Sequence, residues 1–168
     1  MVKFTYLNKS EKDLWLPRLF DLLCQNMESI APLELDCRGS LTQFLAEVSP
    51  ALDKAPRQII LCLDGNDLLG YAQFYIRDTL LMVEEIQIRK DHQRTFLFYR
   101  LCRHLINVLP KSIAAIEAFA DKSNLNSQNI MHKLGMEVIV DDCSSYPHLF
   151  HLRGQADTVK KYFSRMRK

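Results

Sequence analysis

Apolar positions recur along the chain with changing period, and the changes mark its elements. Phe4 to Asn8 reads as a short first strand. From the helix start Ser10-x-x-Asp13, apolar residues follow at helical spacing through Leu14, Leu16, Leu19, Phe20, Leu23 and Met27, ending near Ala31-Pro32. Leu33 to Ser40 contains Asp36 and Gly39 and reads as loop. Leu41, Phe44, Leu45 and Val48 then predict a second helix, with Pro50 as a candidate break. From Arg57 the pattern becomes that of strands. Gln58 to Leu63 is a branched apolar run closed by the turn signal Asp64-Gly65-Asn66-Asp67, after which Leu68 to Ile76 continues as a hairpin partner. Leu80 to Ile88 follows after Arg77-Asp78-Thr79, completing an antiparallel meander. Helical spacing returns from Phe96 to Leu109 and stops at Pro110. Strand Ile113 to Ala120, helix Leu125 to Leu134 ending at Gly135, strands Met136 to Val140 and His148 to Leu152, and helix Gln155 to Met166 complete the order. This order predicts one α/β domain of the α+β kind, a mixed sheet flanked by helices, with a strand, helix, strand crossover at its centre.

Composition narrows the function classes. The chain has 168 residues, 48% of them hydrophobic, enough to bury a sizeable core. The net charge of +2 comes from interspersed charges and points to no nucleic acid. The Lys- and Arg-rich last helix reads as a solvated face. No apolar run approaches the roughly 18 residues of a membrane span, and the start Met1-Val-Lys-Phe lacks the pattern of a secretory signal, so a cytoplasmic protein is expected. Cys24, Cys37, Cys62, Cys102 and Cys143 are scattered, odd in number and free of C-x-x-C spacing, which predicts reduced thiols, those at 24, 62 and 102 in the core. His92, His104, His148 and His151 have no ligand spacing; the offset of three between His148 and His151 on a strand puts the rings on opposite faces, and no metal site is expected.

Two stretches carry candidate chemistry. The first is Glu84-Glu-Ile-Gln-Ile-Arg-Lys-Asp-His-Gln93, a strand running into the start of a helix; the second is Asn124-Leu-Asn-Ser127 followed by His132-Lys-Leu-Gly-Met136. Together with the element order from Phe4 to Leu152, they resemble the GNAT superfamily of acyl-CoA N-acyltransferases. Members of that family carry Q/R-x-x-G-x-G/A opening a helix after an apolar strand, and later an Asn-containing helix ending in K-L-G-F. Gln93 matches the leading residue of the first motif. Phe96 and Phe98 occupy its two glycine positions.

The resemblance implies acetyl transfer from acetyl-CoA, used as co-substrate, to a primary amine on a small molecule or peptide. Backbone groups of Ile86, Gln87 and Ile88 would meet the pantetheine arm as an added strand does. N–H groups of the segment Gln93, Arg94, Thr95, Phe96, Leu97 and Phe98 would receive the pyrophosphate at the positive end of a helix dipole. Arg89, Lys90, Arg94 and Arg100 keep that region cationic. With bulky residues where glycine usually allows close approach, either the loop is remodelled with both rings turned into the core, or acyl-CoA binding is lost. Read alone, both rings fit an ordinary helix-face core.

Glu84 and Glu85 are the expected bases, since an attacking amine must shed a proton near the acyl carbon. Strict alternation would send only one of them to the cleft, unless the strand is bulged. Both also fit paired or exposed carboxylates. The family strand splays from its parallel neighbour, which here carries Glu117. On the later helix Asn124 would contact cofactor or cap the helix, Ser127 takes the small-residue position, and Met131 stands where relatives have a proton-donating Tyr. Ser127, His132 and Tyr146 remain candidate donors. Absence of both glycines and the Tyr supports a rival reading, a GNAT-like acyl-CoA-binding regulator without catalysis. Acceptor identity, acyl length and self-association as a homodimer stay open.

Overall fold

The computed structural model of the chain describes residues 1–30, 41–54, 57–140 and 147–165. The predicted loop Leu33 to Ser40, with Cys37, and the residues Cys143 and Tyr146 fall outside them, as does the helix end at Met166.

Strands β1 (Val2–Tyr6), β2 (Arg57–Asp64), β3 (Asp67–Arg77), β4 (Leu80–Ile88), β5 (Ala115–Asp121), β6 (Glu137–Val140) and β7 (Leu149–Gln155) form one sheet in the order β1-β2-β3-β4-β5-β7-β6. Among the described residues β4 and β5 pair in parallel and every other neighbouring pair is antiparallel. The meander follows from two tight turns: Gly65 takes φ 60° between β2 and β3, and Asp78 takes φ 55° between β3 and β4. The parallel pair requires a crossover, and the helix after β4 provides it.

Among the described residues five α-helices cover the sheet: α1 (Lys12–Ile30), α2 (Leu41–Lys54), α3 (Leu97–Val108), α4 (Leu125–Lys133) and α5 (Ala156–Arg165). Alternation along the strands sorts their side chains into two cores. Ile60, Cys62, Ala72, Phe74 and Leu81 pack with Leu97, Leu101 and Leu105 of α3 and with Val159 and Phe163 of α5. Ile59, Leu61 and Tyr71 face the other way, against Leu16, Leu19 and Leu23 of α1 and Phe44, Val48 and Leu52 of α2.

Several expectations need adjustment, beginning with β1, which runs from Val2 to Tyr6 rather than from Phe4 to Asn8 because it pairs with β2 over Val2 to Tyr6. Leu14 is 62% exposed at the margin of the α1 stripe, and Trp15 and Leu22 join Leu16, Leu19, Leu23 and Met27 on its buried side, so the stripe is wider on one side than the sequence pattern shows. Helix α2 is not broken at Pro50: it continues to Lys54, and Leu52, buried beyond the proline, offsets the hydrogen bond that proline cannot donate. β5 starts two residues later than predicted, since the N–H groups of Ala114 and Ala115 both turn to the Thr79 carbonyl. β7 runs three residues further, to Gln155, paired along its length with β5. Cys24, Cys62 and Cys102 are thiols; Cys62 and Cys102 are buried as expected, whereas Cys24 is half-buried. Burial pushes Cys62 up to about 11 and Cys102 up to about 12, so neither is a thiolate at neutral pH.

Candidate active site

The middle of β4 departs from regular pairing. Gln73 of β3 stands opposite Glu85 while the next residue, Phe74, stands opposite Val83, so Glu84 is an extra residue in a β-bulge. The bulge cancels one step of alternation. Leu81, Val83, Ile86 and Ile88 pack toward α3, whereas Glu84, Glu85 and Gln87 make their side-chain hydrogen bonds on the face covered by α1 and α2. Both carboxylates therefore share one face, and the strict alternation that would admit only one does not hold.

On that face the polar side chains form a string. Arg57 donates from Nε (2.6 Å) and Nη2 to the two oxygens of Glu84, and Gln73 Nε2 donates to Glu84 at 3.2 Å. Gln87 donates to Glu85 at 3.0 Å and accepts from Asn26 Nδ2 of α1 at 2.8 Å. Asn26 Nδ2 also reaches the Ile88 carbonyl (2.9 Å), and Gln93 Nε2 donates to both Asn26 Oδ1 and Ile88 O at 3.0 Å. The string joins α1 to β4 and to the loop after it. The hydrogen bond to Glu84 is the largest influence on the Arg57 guanidinium and raises its proton affinity further.

The bulge coincides with a split in the sheet. β4 pairs with β5 only from Leu80 to Val83, against Ala115 to Ala118; beyond that both strands continue, β4 to Ile88 and β5 to Asp121, without pairing to each other. The edge of β4 from Glu84 to Ile88 thus offers unpaired backbone groups to the gap, while its other edge stays paired to β3 as far as Gly70 opposite Ile88. Gly70 is required there: a Cβ would lie 2.5 Å from the Gln87 carbonyl oxygen.

The loop from Arg89 to Phe96 ends at the head of α3. A turn of 3-10 helix (Lys90–His92) leads to Gln93, whose side chain is turned inward in the string described above. Arg94 holds φ 64°, a left-handed conformation strained for a residue with a Cβ. Thr95 Oγ1 donates to His92 O at 2.6 Å and accepts from Leu97 N at 3.2 Å, so its hydroxyl is committed to shaping the turn. Among the described residues the N–H groups of Phe98 and Tyr99 have no acceptor, and they point from the first turn of α3. The two phenylalanines part ways. Phe98 packs against the α3 core and meets Tyr99 edge to face at 5.5 Å, but Phe96 is 72% exposed, correcting the expectation that both rings turn inward. Arg89 is paired with Asp91 and Arg100 lies over the Phe4 ring; Lys90 and Arg94 carry their charges without an ion-pair partner among the described residues.

Helix α4 stands beyond β5. Asn124 Oδ1 accepts from Ser127 N at 3.0 Å and caps the helix. Met131 is packed against the α3-side core, and the ring of His132 sits by Met136 O at 3.1 Å. Asn124, Ser127 and Met131 are not joined to the β4 string.

A second polar group surrounds Glu117, whose partners the sequence did not reveal. Glu117 of β5 is 6% exposed, its Oε2 is 2.8 Å from His151 Nε2 of β7, and Arg153 Nη1 lies 3.3 Å from its other oxygen. The signal was a lone Glu within Ala115-Ile-Glu-Ala-Phe-Ala120, but its partners depend on the β5 to β7 register.

The family model described as Acetyltransferase (GNAT) family matches residues 16–136, well over half of the chain. The chain belongs to the GNAT acetyltransferase family. Within it, solved structures share the fold. PaiA N-acetyltransferase of Thermoplasma acidophilum, in complex with coenzyme A, superposes with a TM-score of 0.69 at 10% identity, covering 92% of this chain and 99% of that one. An acetyltransferase of Thermus thermophilus gives 0.69 at 16% identity over 92% and 97%. YncA of Salmonella typhimurium, with its cofactor acetyl-CoA, gives 0.68 at 16% identity over 94% and 95%. No curated protein sequence matches the chain. In this GNAT chain the stretch from Gln93 to Phe98 leads into α3 through a left-handed Arg94 and a turn held by the Thr95 hydroxyl.

Proposed function

We infer that this GNAT protein transfers an acetyl group from acetyl-CoA to a primary amine by direct attack within a ternary complex. The observation that carries the reading is the coincidence of the β4 bulge with the split between β4 and β5, which sets two carboxylates beside a gap edged by unpaired backbone. The free edge at Ile86, Gln87 and Ile88 suits an extended pantetheine arm. The open N–H groups of Phe98 and Tyr99, with Lys90 and Arg94 nearby, suit a pyrophosphate. Of the two acids, both on the polar face of β4, Glu85 is taken as the base and Glu84 as the group that holds the Arg57 guanidinium with both its oxygens. The barrier falls through alignment of amine and thioester and through removal of the amine proton. The protein works as a single domain in a reducing cytoplasm.

A second reading, an acyl-CoA sensor that binds without turning over, is favoured by one observation: Met131 lies in the core where a proton donor would stand. Two measurements separate the readings. Acetyl-CoA at 100 times its dissociation constant raises stability by about 2.7 kcal/mol in a thermal-shift assay. Amine-dependent release of free thiol from acetyl-CoA marks the enzyme. Binding without release supports the sensor, and no shift at millimolar ligand removes both.

A further inference from the structure

We propose that His151, oriented by Glu117, is the group that takes the first proton from the incoming acceptor, which therefore binds as an ammonium ion. The inference rests on the acetyl-transfer reading and deepens it.

Position comes first. Ile116, Ala118 and Ala120 of β5 pack toward α3, so Glu117 and Phe119 project from the opposite face, the face of Glu84 and Glu85. His151 stands opposite Phe119 in the β5 to β7 register, and its ring stacks on that ring at 4.6 Å. Phe119 is the first residue of β5 beyond the last pair with β4, Val83 and Ala118. The imidazole is thus level with the mouth of the gap, about one strand spacing, ~4.8 Å, from its β5 wall. The β4 carboxylates flank the gap from the other side.

Chemistry follows from the hydrogen bond. A carboxylate only accepts, so the 2.8 Å contact puts a proton on His151 Nε2, and in the neutral ring the lone pair is then on Nδ1. This is the arrangement in which an acid orients an imidazole base. Nδ1 has no partner among the described residues, and the side chain is 18% exposed, enough to release a proton to solvent. The charged groups nearest the ring are Glu117 of β5, Arg153 of β7 and Glu137 of β6, the last opposite Arg153; on β4 Glu85 lies on the same face of the sheet, while Glu84 is turned away to Arg57.

An amine that arrives as R–NH3+ must lose two protons, and two acceptors stand on the face. His151 Nδ1 takes the first, which frees the nitrogen lone pair. The N–C bond forms, and the positively charged nitrogen passes its second proton to Glu85. The C–S bond then breaks, the thiolate takes the proton held by Glu85, and the imidazolium gives its own to water. The sum is R–NH3+ plus acetyl-CoA giving the amide, CoASH and H+. Glu117 acts through His151 as a positioning residue.

The test uses thiol release from acetyl-CoA with spermidine, tyramine and a serine-ended peptide, followed from pH 6 to the pKa of whichever amine reacts fastest. His151→Ala is expected to lose on the order of 100-fold at pH 7. Its rate recovers as the amine arrives neutral at high pH, and imidazole in solution restores it at pH 7. Glu117→Gln shows a smaller loss of kcat with KM for acetyl-CoA unchanged. Wild-type rate in His151→Ala at pH 7, or an equal loss at every pH without imidazole rescue, overturns the proposal while the acetyl-transfer reading stands. Absence of release by the wild type with all three amines overturns the inference together with the enzyme reading. If the variants unfold, 15N spectra of the wild-type histidines decide: the Nε2–H tautomer is expected in the neutral ring of His151, and the Nδ1–H tautomer overturns the role.

Discussion

The two faces of the sheet are made by the same strands and do different work. Toward α3 and α5, β4 presents Leu81, Val83, Ile86 and Ile88, and β5 presents Ile116, Ala118 and Ala120, all in one apolar core. Toward α1 and α2 the same two strands present Glu84, Glu85, Gln87 and Glu117, each hydrogen-bonded and none solvated as a surface acid would be. The dry face holds the strands in place, so the polar face can separate at its centre without the sheet falling open. A polar string on a face that is otherwise apolar is costly where its members are unsatisfied; Arg57, Asn26 and Gln93 meet most of it, while Gln73 Oε1 is buried without a hydrogen-bond partner among the described residues.

That contrast can be broken from either side. The largest effect is expected from the dry face: Leu101→Ala removes a fully buried side chain and costs about 3 kcal/mol in urea denaturation, with activity per folded molecule retained. On the polar face, Glu85→Gln should lower kcat on the order of 100-fold with little change in melting temperature. Glu84→Gln should do the reverse, since it leaves Arg57 half-buried without its partner; an equal rate loss for both variants would reject Glu85 as the distinct base. Arg57→Ala is expected to cost about 2 kcal/mol, and to recover part of it when combined with Glu84→Gln, as a double-mutant cycle would show.

The smallest effect concerns pH. His104 of α3 lies stacked on Phe4 at 5.2 Å, and burial holds its proton affinity below the ordinary value. Below about 6.5 the unfolded chain therefore binds a proton that the folded one resists. Stability from this residue is present above that pH and declines as pH falls through the depressed folded value. Melting curves of His104→Gln should show a shallower decline between neutral pH and pH 5 than the wild type.

Most of the element order was legible because it depends on short-range patterns: branched runs, turn residues such as Asp64-Gly65-Asn66-Asp67, and helical stripes like the one through Leu97, Leu101 and Leu105. Family membership was legible too, from Gln93 and the stretch Asn124 to Met136. The Asn124 cap followed from residue type and place alone. Phe96 was misjudged because the stripe of α3 begins only at Leu97: the residue before the first turn takes its direction from the left-handed Arg94 and the Thr95 turn, not from helical periodicity.

By itself, then, the sequence determined which residues form strands and helices, that the sheet is mixed, and that two acids stand in the middle of β4. Only the tertiary structure decided where those acids point, because a bulge is a property of pairing between strands and shifts every later side chain by one step. The same holds for His151 and Glu117. Thirty-four positions separate them, and the register of β7 against β5, set by the packing of the whole sheet, makes them neighbours.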